Sequence, residues 1–285
     1  MKKALLGVLL CLSMSVFAFS GGFSIKVNGG ANFLMGGDYN KIVDGINDYW
    51  HSIAGVTIAG GVDKLSMGWN FGAEFIYNIT DQMGVGLGVG YLMASNESTI
   101  TATSGGVALG GTFSPSVSAI PITLNFHYFM PVGDTMNIHF TAGPGLYISS
   151  LKWDIAETLG TTADPTLGWD LLQTFEPDGV MGFGFQGGLG IEFALSPSIS
   201  LCLDVLGRMA SLSGFSGPWT LTGLVLHTIP VSDSGTGTFY YYEDGGFADF
   251  TIDTSAPSWS GITNVREASV SLSGVVAQFG IKINI

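Results

Sequence analysis

Apolar and polar residues alternate with a period of two along most of this chain. In residues 67–78, Met67, Trp69, Phe71, Ala73, Phe75 and Tyr77 share one face, opposite Gly68, Asn70, Gly72 and Glu74. Residues 83–93 set Val85, Leu87, Val89 and Tyr91 against Gly84, Gly86, Gly88 and Gly90. Residues 181–195 alternate Phe183, Phe185, Leu189, Ile191 and Phe193 with Gly182, Gly184, Gln186, Gly188, Gly190 and Glu192. The same scheme runs through 23–35, 120–130, 136–149, 199–210 and 268–285. Alternation of this kind predicts strands with one apolar face. Eight such segments result, and each is long enough to cross a bilayer, for which a tilted strand needs about 9–11 residues. Pro144 interrupts one segment and the pattern changes phase near Gly274 in another; a bulge is expected at each.

The polar face is unusual. It is built from Gly, Asn, Ser and Ala, where a solvated sheet would carry Lys, Glu and Thr. Small residues suit the inside of a narrow barrel. The links sort into two kinds in strict alternation. Those at 80–82, 131–135 and 196–198 are tight turns, and those at about 36–65, 94–118, 150–179 and 211–267 are long. Short periplasmic turns and long extracellular loops are the habit of outer-membrane barrels. The predicted fold is therefore all-β: an antiparallel up-and-down transmembrane β-barrel of eight strands, or ten if a hairpin at 220–242 also crosses.

Composition narrows the class further. Charged residues are 11%, against about 25% in ordinary soluble domains. Mean hydropathy is +0.43. Yet no apolar run after the first twenty residues approaches the length of about 18 that a helical span needs. Lys2-Lys3, the apolar stretch Ala4–Phe17 and then Ala18 read as a secretory signal cut after Ala18. Residues 19–285 would then form a single barrel domain in the cell outer membrane. Cys202 is the one cysteine that survives the cut, so no internal disulfide can form. The net charge of −13 argues against nucleic acid, whose phosphates need a basic surface.

Three pieces resemble the small outer-membrane β-barrel superfamily, the OmpA-, OmpX- and OmpW-type group: residues 77–88, residues 120–126 and residues 187–193. The C-terminal strand 278–285 is similar to the signal read by the barrel-assembly machinery, although Ile285 stands where that pattern has an aromatic residue. The resemblance implies an integral outer-membrane protein, a monomer in contact with lipopolysaccharide and phospholipid, with a structural or surface-interaction role. Its OmpW-type members imply passage of small apolar solutes through a side opening.

Parity places six charges on the inward face: Lys26, Glu74, Glu192, Asp204, Arg208 and Lys282. The structural reading is a charged network filling the lumen, because unpaired buried charge is costly. The functional reading is a gate or ion path in a water-filled, porin-like pore. Across the 196–198 turn, Glu192 is expected to face Asp204, and Arg208 to pair with one of these acids. His127 and His139 also point inward and are expected nearly opposite one another. A proton relay or metal site would need a third ligand, which the spacing does not supply. The Gly-x-Gly runs precede no helix, as a dinucleotide loop would require. A lipid-modifying enzyme would need His beside Ser or Asp at the outer rim, and no such set is evident. No catalytic residue, cofactor or metal is predicted. Trp50, Trp69, Trp153, Trp169, Trp219 and Trp259 read as interfacial girdle or loop-packing residues.

Overall fold

A computed structural model describes residues 22–161 and 167–285. The expected signal segment 1–18 lies outside the described residues. The described residues form antiparallel β-structure with one helix. The first elements are β1 (Phe23–Leu34), α1 (Asp38–Ser52), β2 (Thr57–Gly60), β3 (Met67–Asn78), β4 (Met83–Ser95) and β5 (Ser98–Ser104). Two long strands follow, β6 (Val107–Val132) and β7 (Met136–Thr161), then β8 (Gly168–Phe175), β9 (Val180–Ser196) and β10 (Ile199–Leu212). The chain ends with β11 (Ser216–Val225), β12 (Ile229–Asp244), β13 (Phe247–Asp253), β14 (Ile262–Glu267), β15 (Val270–Ser271) and β16 (Gly274–Asn284).

All the strands belong to a sheet of sixteen, so the count of eight is not confirmed for the sheet as a whole. The long links that read as loops fold into further strands and a helix. They carry turn residues and mixed polarity, which hide short strands from a search for alternation. The pairings trace a circuit, β1–β3–β4–β6–β7–β9–β10–β16 and back to β1. The other strands branch from it. β5 and β2 extend from β6, while β8, β11, β12 and β13 extend from β7. β14 pairs with β12, and β15 with β10. The hairpin expected at 220–242 is β11–β12; it joins β8, β13 and β14 and takes no place in the circuit.

The circuit is turned inside out relative to a soluble domain. Val27, Phe71, Phe75, Leu87, Phe183, Phe185, Leu203 and Phe279 are exposed, whereas Lys26, Asn70, Glu74, Asp204 and Lys282 are buried. The period-two pattern predicts this arrangement when the solvent is lipid. The two anticipated bulges have other forms. At Pro144 the β6–β7 ladder skips Leu124 and Asn125 and resumes in the same register, because proline has no N–H to donate. Near Gly274 the strand breaks into β15 and β16. Gly274 has φ +155°, and a methyl group there would overlap the Phe33 carbonyl.

β6 and β7 each run 26 residues, which at about 3.4 Å per residue is roughly 85 Å of strand. That far exceeds a bilayer crossing. Their outer halves carry a cap with its own apolar core, in which Tyr39, Ile42, Trp153, Phe175, Phe215, Phe239 and Leu272 are buried. Trp153 stacks on Phe250 at 4.4 Å and meets Tyr39 and Phe239 edge-on. Of the six tryptophans read as girdle or loop residues, Trp153 is thus a core residue of the cap.

Helix α1 is latched to the end of the sheet through Asp38. Its carboxylate accepts from Arg266 at 2.7 and 3.2 Å, from Ser269 N–H and Oγ, and from Lys41 at 3.1 Å. Burial would raise its pKa, but these donors outweigh burial and hold it at about 2. The folded value lies below the unfolded one of about 3.9. The latch therefore contributes fully above about pH 4 and is lost as pH falls through about 2. Amide exchange of α1 is expected to stay slow at pH 5 and accelerate toward pH 2; Asp38→Asn should exchange fast at both.

Candidate functional site

The residues predicted to line the interior of the circuit are all buried: Lys26, Glu74, Glu192, Asp204, Arg208, Lys282, His127 and His139. They gather into three polar groups. In the first, Glu74 Oε1 accepts from Asn125 at 2.6 Å and lies 3.0 Å from His127 Nε2, whose Nδ1 is 3.1 Å from Thr141 Oγ1. Gln186 extends the group by donating to Asn125. In the second, Asp204 receives Lys26 at 2.6 Å, His139 Nε2 at 2.7 Å and Gln278 at 3.2 Å. Asn70 donates in turn to Gln278. In the third, Lys282 meets Glu192 at 2.6 Å, with its ammonium 4.5 Å from the centre of the Phe129 ring.

One rule unites these contacts: each ion contact skips a strand. Glu74 on β3 reaches His127 on β6 across β4, where Gly86 lies between them. His139 on β7 reaches Asp204 on β10 across β9, where Gly190 is the register partner of both. A methyl group at Gly86 would overlap the Glu74 carboxylate, and one at Gly190 that of Asp204. Lys26 on β1 reaches Asp204 across β16, over Gly280, and Glu192 on β9 reaches Lys282 over Cys202 and Ser200 of β10. The small residues of the polar face are therefore the floor over which charges meet.

Three expected pairings are corrected. Equal steps outward from the 196–198 turn set Glu192 opposite Cys202 and Asp204 opposite Gly190, so these two acids do not face each other. Arg208 pairs with neither acid. Its Nη1 donates to Asn32 at 3.2 Å and its guanidinium lies 5.8 Å from the Tyr147 ring. It sits four residues along β10 from Asp204, level with the apolar core. His127 and His139 are offset by two residues, their partners being Thr141 and Phe129. Their rings lie 6.5 Å apart, each 5.9 Å from Phe129. The sequence reading missed the amides Asn70, Asn125, Gln186 and Gln278; their parity was the available signal.

Among the described residues, no group of three or more His, Cys, Asp and Glu side chains could hold a metal ion. A His–Asp contact does occur in the cap, where His227 Nδ1 is 3.1 Å from Asp170 Oδ2. The neighbouring Thr228 hydroxyl is turned away from it and donates to Leu226 O.

Comparison with solved structures gives several similar chains, among them three that are remote in sequence. The outer membrane protein OprG of Pseudomonas aeruginosa is 12% identical, with 93% of this chain and 96% of that one covered and a TM-score of 0.34. A major outer membrane protein of Thermus thermophilus is 12% identical over 92% and 99%, TM-score 0.37. The outer membrane protease OmpT of Escherichia coli is 8% identical over 94% and 99%, TM-score 0.26. No curated protein sequence matches. The family model for the outer membrane protein beta-barrel domain matches residues 4–216, most of the chain. This protein belongs to that family of outer-membrane β-barrels.

Proposed function

We propose that the circuit of eight strands is the transmembrane barrel, that the polar groups plug its lumen, and that the protein acts at the cell surface through its cap. The observation that carries this reading is the small space left at the level of the Asp204 and Glu74 contacts, below which a wider cavity of about 330 Å³ opens beside Lys282 and Phe129 at the turn end. The cavity bounded by Lys26, Glu74, Asp204, Arg208 and Gln278 measures about 70 Å³, room for roughly two waters at about 30 Å³ each. Eight strands leave an interior just wide enough for side chains. The exposed apolar rows would face outer-membrane lipid, the tail 278–285 would be the segment the assembly machinery reads, and the protein would work as a monomer.

In planar bilayers the full-length protein is expected to show no steady large conductance, and Lys26→Ala/Asp204→Ala should raise it. A large, constant wild-type conductance would overturn the plugged lumen in favour of a porin-like pore. A second reading, lateral passage of small apolar solutes, draws on β6. Pairing lapses at Pro121 on its β4 side and opposite Pro144 on its β7 side. Uptake of an apolar solute into proteoliposomes should then fall when a disulfide ties β6 to β7 beside Pro144; unchanged uptake removes this reading.

A further inference from the structure

The cap holds a cavity of about 610 Å³, within the range of small-molecule sites, about 300–1,000 Å³. It lies between α1, the sheet formed by β5 to β8, and the β12–β13 hairpin. β4 pairs with β6 only as far as Ser95 and Ser116, so Ile100 of β5, Leu109 of β6 and Ile155 of β7, which line the cavity, stand beyond the end of the circuit.

Two features of its walls point to one ligand chemistry. The first is aromatic. Tyr49 of α1 stands edge-on to Trp50 and to Phe247, each at 5.9 Å, and all three line the cavity with Trp169. The second is charge. Glu157, Asp244 and Asp249 line the cavity, and among the described residues no Lys, Arg or His does. Among the described residues Asp249 accepts from the Tyr242 hydroxyl and from Phe250 N–H, and burial raises the pKa of its carboxyl. Carboxylates set beside aromatic faces without a basic partner favour a cation over a neutral or anionic guest.

We infer that this cavity is a binding site for a small organic cation with an apolar body, an aryl- or alkylammonium. The rings enclose its body, and Asp249 with Glu157 faces its charge. The site lies outside the lumen, so it stands whether or not the barrel conducts.

The test is calorimetric titration of the full-length protein in lipid nanodiscs with naphthylmethylammonium, against neutral naphthylmethanol and anionic naphthylacetate. Empty nanodiscs supply the partitioning baseline. The ammonium should bind saturably at one site per chain, the alcohol about tenfold more weakly, and the acetate not at all. Asp249→Asn/Glu157→Gln should weaken the ammonium about tenfold, and Leu109→Trp, which fills the cavity, should abolish its binding. Absence of saturable ammonium binding, equal affinity for the alcohol, or binding indifferent to the carboxamide pair would each overturn the inference. The carboxamide pair keeps the shape of the site, so that arm decides even if Leu109→Trp fails to fold.

Discussion

Asp204→Ala should be the most damaging single change inside the barrel, with a cost of about 3–5 kcal/mol, the range for breaking a buried ion pair from one side. It would leave Lys26, 4% exposed, without its 2.6 Å partner, and would remove the 2.7 Å contact of His139 and the acceptor of Gln278. Urea unfolding of the protein in lipid vesicles measures this. Lys26→Met/Asp204→Leu should recover much of the loss, since an apolar pair of similar volume removes the stranded charge. Arg208→Met should cost less than Asp204→Ala, because Arg208 donates to Asn32 rather than to an acid. If Arg208→Met proves the costlier variant, the arrangement of the lumen groups described above is wrong.

The second large effect belongs to the cap. Trp153→Ala removes a side chain 2% exposed that touches Tyr39, Phe239 and Phe250. Truncation of a buried tryptophan costs about 3–5 kcal/mol. The loss should fall on the cap alone. Limited proteolysis is expected to open cleavage in α1 and in the β12–β13 hairpin, while the strands of the circuit stay protected in vesicles. Protease resistance equal to wild type would show that the cap does not depend on this aromatic cluster.

The sequence showed the circuit clearly and the cap poorly, for physical reasons. Strands in lipid must present apolar residues outward at every second position, so Met67 to Tyr77 and Phe183 to Phe193 announced themselves. The cap faces water on one side and its own core on the other, with short strands such as β2 and β13. Its residues follow no long alternation, and α1, whose Tyr39, Ile42, Val43 and Ile46 recur at helical spacing, is invisible to a search for a period of two. Parity placed the charges of the lumen on the inward face, but neighbour-to-neighbour reasoning mispaired them. It assumed that partners sit on adjacent strands. Glycine rows cancel that assumption by letting Glu74 reach His127 and Asp204 reach His139 over an empty rung. The expected Glu192–Asp204 pairing was also two residues out of register, since equal steps from the 196–198 turn set Glu192 against Cys202.

The unbroken course of β6 and β7 has a consequence for how this protein can vary. Both strands run from the 131–135 turn to the far end of the cap in a single register, so no hinge separates the circuit from the cap. An insertion in either strand would throw its whole outer half out of phase. Tolerance for foreign sequence, whether from immune escape or from epitope grafting, is therefore confined to turns such as Leu226–Thr228 and Gly245–Gly246.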